Sequence, residues 1–193
     1  MRWDWYPKGN PSKNWYGVIA MIVLFLSAGC GRSKRADALL GDLKNLPSAK
    51  IEAALPNQHP SVYYGYADRL FHQGKKDDAV FWFYAGQLRY RFYLKANPNL
   101  DPSGEPATFG LLNAIIGQTI NGYAGGSVKG WVKAIDRALQ WDAEVTNGFT
   151  SKEKFAAVYE ETRAGLKKLR DQLESQADSI RDQRKKAGLE NRD

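Results

Sequence analysis

Residues 61–97 read SVYYGYADRLFHQGKKDDAVFWFYAGQLRYRFYLKAN, and the architecture shows here first. Ser61 is of the type that caps a helix N-terminus, and a helix is expected from there to about Gln73. Gly74-Lys75-Lys76 is a turn. A second helix is expected from Asp77 or Asp78, whose carboxylates suit the positive end of a helix. It runs to about Ala96, before Asn97-Pro98. Phe81, Trp82, Phe83 and Tyr84 are consecutive, so apolar groups lie all round this second helix. A helix that is hydrophobic on every side is a buried one, which puts it at the centre of the fold.

The rest of the chain extends the same pattern. Asn97 to Pro106 is a proline-rich loop. Leu111, Leu112, Ile115, Ile116 and Ile120 recur at helical spacing and predict a third helix over about 107–120, ended by the glycines of Asn121 to Gly126. Ser127 is placed to cap a fourth helix reaching about Asp142, with Trp131, Ile135, Ala138 and Leu139 as its stripe. Thr150-Ser151-Lys152-Glu153 fits a capping box before a fifth helix carrying Phe155, Val158, Tyr159, Leu166, Leu169 and Leu173. No stretch alternates at period two. The fold class is therefore all-α, a bundle or short solenoid of antiparallel helix pairs. With 193 residues, 43% hydrophobic and 25% charged, the chain has the size and composition of one folded domain.

The N-terminal third is organised differently. Trp15 to Cys30 is an uncharged run behind a flank carrying Arg2, Lys8 and Lys13 against Asp4. It is shorter than the ~20 residues of a bilayer-spanning helix and has the make-up of a signal peptide's apolar region. It closes on Leu26-Ser27-Ala28-Gly29-Cys30, which resembles the bacterial lipobox, with Leu26 one step earlier than usual. The resemblance implies cleavage after Gly29, acylation of Cys30 and a lipid-anchored chain facing the periplasm. Gly31 after the cysteine implies the outer membrane rather than the inner. The alternative is an uncleaved inner-membrane signal anchor, since Arg32, Lys34 and Arg35 follow the run directly. The expected organisation is a signal peptide over 1–29, a tether with short helices over 30–60, a helical domain over 61–175 and a charged C-terminal helix or tail over 176–193. From Cys30 onward the chain keeps 25 basic and 20 acidic residues, a net charge of +5.

The helix pair of 61–97 is similar to one tetratricopeptide or Sel1-type repeat through Ala67, Leu70, Gly74, Ala79, Phe83 and Gly86. Small residues at 67, 79 and 86 let the helices approach; large ones at 70 and 83 fill the space beside them. The match covers a single unit, whereas repeats of this kind bury their faces against about three neighbours. The resemblance implies a surface for other polypeptides. Tyr63, Tyr64, Tyr66, Trp82 and Tyr90 are too many for one small core to bury, so some are expected to line a binding groove.

Little in the sequence points to catalysis. One cysteine excludes an internal disulfide and a Cys-cluster metal site. His59 stands before Pro60 in a loop and reads as structural; His72 sits where a cation suits a helix C-terminus. Asp77, Asp78 and Glu105 could form an acid pair, but adjacent acids at a helix start more often serve the helix dipole. Asn121 to Gly126 is glycine-rich but lacks the order of a phosphate loop. Arg89-Tyr90-Arg91-Phe92-Tyr93 mixes basic and aromatic residues as single-strand nucleic-acid sites do, but helical spacing points the two arginines apart and the export signal argues against that partner. The expectation is therefore a non-enzymatic, lipid-anchored protein-binding module of the cell envelope, without cofactor or metal, that binds another envelope protein and no nucleic acid. A periplasmic immunity or inhibitor lipoprotein, and a cell-envelope hydrolase, are the alternatives.

Overall fold

The structure, a computed structural model, describes residues 34–193. Gly29, Cys30 and the apolar run lie outside the described residues. The described chain is helical, with no strand among those residues. In chain order α1 is Lys34–Leu40, α2 Ser48–Ala54, α3 Pro60–His72 and α4 Lys76–Ala96. Then come α5 Glu105–Leu112, a π-helical turn Asn113–Gly117, α6 Gln118–Ala124, α7 Val128–Glu144, α8 Ala156–Ser175 and α9 Ala177–Lys186.

The α3–α4 pair forms as the sequence implies, with one change at its start. His59, not Ser61, caps α3. Its Nδ1 accepts the Ser61 N–H at 3.2 Å, and Pro60 takes the first helical position, where a missing N–H costs nothing. Gly74 makes the turn with φ +81°, a left-handed conformation natural to glycine. Every residue of α4 from Ala79 to Tyr90 is buried. Close approach to α3 depends on Gly86, where a Cβ would fall 2.6 Å from Tyr63 Cβ.

The other elements enclose this pair. Helix α1 crosses α3 at Gly65, where a Cβ would lie 2.6 Å from Leu39 Cβ, and Arg35 pairs with Asp68 at 2.8 Å. Helix α7 lies on α4, and α8 packs on both. Ser127 caps α7 as expected, accepting the Gly130 N–H at 3.0 Å. Thr150 does not start α8. The helix begins at Ala156, and Ser151 accepts the Lys154 N–H inside the preceding turn.

One further expectation is corrected. The third-helix stripe splits into two faces: Leu112, Ile116 and Ile120 are buried, while Leu111 and Ile115 are exposed. The C-terminal segment is a charged and largely exposed helix with Ile180 buried, as one reading had it, and its end folds back onto the domain. After Gly188 the chain returns over the start of α7, where the Arg192 N–H donates to the Gly126 carbonyl at 2.6 Å. Arg192 also donates to the Tyr123 carbonyl and Arg184 to that of Gly122. The Asp193 carboxylate accepts from the Ser127 hydroxyl and the Lys129 N–H, satisfying donors at the helix N-terminus.

Candidate interaction surface

Of the five aromatic residues, some of which are expected to line a groove, none is exposed. Tyr63, Tyr64, Tyr66 and Tyr90 are wholly buried and Trp82 is 4% exposed. Each hydroxyl has a partner inside: Tyr63 donates to the Leu55 carbonyl, Tyr64 to Asn113, Tyr66 to Glu52 and Tyr90 to Glu105. Burial raises all four phenols well above their ordinary range. The core holds them because α1, α2 and α5–α6 cover α3 on the sides that the α3–α4 pair alone would leave open. Ala67, Leu70, Ala79 and Phe83 are buried as well.

The exposed apolar surface lies on α5 and the π turn instead. Leu111 is 58% and Ile115 41% exposed, one helical turn apart on one face. Gly110, Ala107 and Ala114 are exposed beside them. Between Glu105 and Lys129 the chain carries no Asp, Glu, Lys, Arg or His. The π turn sets which side faces out. Asn113 donates to the Phe109 carbonyl at 2.7 Å, and its Oδ1 accepts from Gln87 at 2.7 Å and Tyr64 at 3.3 Å. Gly117 sits where a Cβ would come within 2.9 Å of Phe83. These contacts pin Ile116 and Ile120 inward and leave Leu111 and Ile115 outside. Single π turns recur at functional positions of helices.

The glycines of this segment fall into two groups. Gly117 is required by Phe83. Gly110 and Gly122 have ordinary helical backbone, and a Cβ on either would meet nothing within 4 Å. A helical glycine costs about 0.5–1 kcal/mol relative to alanine, and at these two positions the fold gains no contact in return. The sequence carried a signal for this face in its missing charges and in these two glycines. Five apolar residues at helical spacing concealed it, because such a stripe reads as core.

Two polar clusters complete the inventory. At the first, the His59 Nε2 lies 3.2 Å from Glu105 Oε2 and its Nδ1 2.7 Å from the Ser61 hydroxyl, with the Tyr90 hydroxyl on the same Glu105 oxygen at 2.5 Å. Serine, histidine and glutamate in this order have the donor sequence of a hydrolytic relay. However, Nδ1 also takes the Ser61 N–H as the helix cap, and the ring is boxed by Tyr90, Tyr93 and Phe149. Burial lowers the His59 pKa, against the pull of Glu105, so the neutral ring serves as a cap. His72 is elsewhere, 3.5 Å from the Asp68 carboxylate that also holds Arg35.

The second cluster is inside the protein. Arg89 is 2% and Asp142 1% exposed. Arg89 Nε donates to Asp142 Oδ1 at 3.0 Å, and its other nitrogens donate to Tyr63 Oη and to the Val145 and Thr146 carbonyls past the end of α7. The indole of Trp141 lies 4.4 Å from its guanidinium carbon. Arg163 and Lys152 stand 3.5 and 3.9 Å from Asp142 Oδ2, and Tyr159 donates to it at 3.0 Å. This cluster joins α4, α7, α8 and the loop between the last two. Arg91, two residues on, lies over the Phe109 ring at 5.0 Å, its pKa pulled down to about 10 by burial. Arg89 is enclosed, and Arg91 is partly exposed. Among the described residues no group of His, Cys, Asp or Glu is placed to hold a metal ion, and no helix is long and apolar enough to cross a membrane.

No family model, characterised protein or solved structure matches this chain.

Proposed function

We propose that this protein is a lipid-anchored, helical protein-binding module of the cell envelope, and that its binding face is the outer side of α5 and α6. The observation that carries the reading is the charge-free ridge of Leu111 and Ile115, held outward by the π turn at Asn113. Among the described residues the other large apolar side chains are buried or partly buried, apart from Phe149 at 38% exposure. An exposed apolar strip framed by polar surface marks an interaction site.

The anchor rests on the lipobox-like Leu26 to Cys30 and the apolar run before it. Acylation buries methylenes at about 0.8 kcal/mol each. Cys30 is the only thiol in the chain, so a clickable palmitate should label the wild type and not Cys30→Ala. The variant should also keep its leader and migrate heavier. Unlabelled wild type, with no change in migration, would remove the anchor. For the face, a photoreactive residue at position 111 should capture a discrete protein in native membranes, and one at Lys133 on the outer side of α7 should not. Equal capture at both positions would remove the face.

A further inference from the structure

We propose that residues 190–193 are a hinged strap that opens and closes over the junction of α6 and α7 while the rest of the domain stays folded. The device is independent of the anchor and of the α5–α6 face.

The strap has a hinge. Helix α9 is closed off before it begins: the Gly188 N–H donates to the Lys185 carbonyl and the Leu189 N–H to that of Arg184. Gly188 takes φ +70° in open surroundings, a turn natural to glycine. The chain then runs back as Glu190-Asn191-Arg192-Asp193, four residues with no apolar side chain. Two bonds to α9 steady its start, from Arg184 to the Glu190 carbonyl and from Asn191 to that of Arg181.

Its far end is matched to two helix ends at once. Arg192 sits on the carbonyl end of α6, where its Nη2 donates to Tyr123 at 2.7 Å and its guanidinium lies 3.5 Å from the Tyr123 ring centre. Asp193 sits on the N–H end of α7, accepting from the Ser127 hydroxyl and the Lys129 N–H. A cation at a helix C-terminus and an anion at an N-terminus are both favoured. Gly125 and Gly126 keep the space that this needs. Neither has a left-handed backbone, so local geometry does not ask for glycine. A Cβ would instead fall 3.2 Å from Arg184 Nη1 at Gly125 and 3.1 Å from Arg192 Nε at Gly126.

The junction beneath does not need the strap to hold its shape. Gly125, Gly126 and Ser127 make their own backbone bonds to Asn121, Tyr123 and Ala124, and Ser127 caps α7 by itself through the Gly130 N–H. Arg192 and Asp193 are exposed, and Asp193 borders an open cleft of about 170 Å³ that Val132, Ala177 and Arg181 also line. Contacts of this kind, polar and exposed, belong to the least stable part of a fold and open before the core does. Closed, the strap covers a face of Tyr123 and fills the hydrogen-bonding positions at both helix ends. Open, it gives the Lys129 N–H, the Ser127 hydroxyl and the Tyr123 and Gly126 carbonyls to solvent.

The test is hydrogen–deuterium exchange of the full chain, read at single amides over a range of denaturant too low to unfold it. Lys129 lies in the first turn of α7, where an N–H has no partner inside the helix, so its protection reports closure of the strap. The expected result is measurable protection of the Lys129 and Arg192 amides that hardly changes with denaturant, beside strong, denaturant-dependent protection from Ile135 to Leu139. Each end should answer for the other. Arg192→Ala should speed exchange at Lys129, and Asp193→Ala exchange at Arg192, by roughly two- to fivefold. Gly126→Ala, which keeps every charge, should also speed Lys129. Strap amides that follow the denaturant dependence of Ile135 to Leu139 overturn the proposal, since the strap then opens only with the whole domain. Lys129 and Arg192 amides with no protection, or variants that change only their own end, overturn it as well.

Discussion

Asp142→Ala should be among the most damaging single changes in this protein. Asp142 is 1% exposed and stands against three cations, Arg89 at 3.0 Å, Arg163 at 3.5 Å and Lys152 at 3.9 Å. Of these Arg89 is as buried as the aspartate, and without it keeps a guanidinium in the core with no opposite charge. Breaking a buried pair from one side costs about 3–5 kcal/mol. In a domain of this size each kcal/mol moves the melting temperature by about 2–4 °C, so the loss is roughly 6–20 °C. Arg89→Met should cost less, about 1–3 kcal/mol, because Asp142 then still meets Arg163, Lys152 and the Tyr159 hydroxyl. Val145 also keeps its bond from Lys152. The double variant should be no less stable than Asp142→Ala alone. Urea unfolding followed by far-UV circular dichroism measures all three. An Asp142→Ala cost under about 1 kcal/mol, or an Arg89→Met cost equal to it, would refute the account of an acid outnumbered by its cations.

Three more outcomes follow from local geometry. Gly86→Ala should destabilise by about 1–3 kcal/mol through overpacking against Tyr63, while Gly110→Ala should stabilise the isolated domain by about 0.5–1 kcal/mol; paired thermal melts separate them. His59 has its pKa lowered by burial, with Glu105 opposing. Its contribution to stability is therefore whole above the ordinary histidine value and is lost as pH falls through the folded one. Protonation sets a new N–H against that of Ser61. His59→Asn, which keeps a capping oxygen, should flatten this dependence in denaturant curves between neutral and mildly acid pH. Asp193→Ala removes a carboxylate from the N-terminus of α7 and should cost about 0.3–1 kcal/mol at low ionic strength, shrinking with added salt; melts at two salt concentrations show it.

The helix pair was legible because its determinants are local. Gly74, the prolines at 60 and 98 and the four-aromatic run each act within a few residues. The contents of α4 were legible too, since a helix apolar all round has one place to go. The fate of the tyrosines was not. Whether Tyr66 meets solvent depends on α2 crossing over α3, and that crossing is set by packing between segments that carry no common motif. The third-helix stripe misled for a related reason. Spacing identifies residues that share a helix, but a π turn shifts the register between them, and the Asn113 side chain at that turn is held by Gln87 and Tyr64 from other helices. The Arg89–Asp142 pair spans 53 residues, beyond any spacing rule.

That distance has a consequence for how the domain comes together. Arg89 lies midway along the most apolar helix, and its counter-charge arrives only with α7. Until then the α3–α4 hairpin, whose contacts are otherwise close enough in sequence for rapid collapse, would have to enclose a lone guanidinium, and burial of an unpaired ion is prohibitive. Asp142 and the loop behind it bring that counter-charge and the carbonyls of Val145 and Thr146, which accept from Arg89. One residue pair thus makes enclosure of the central helix depend on a segment 53 residues further along the chain.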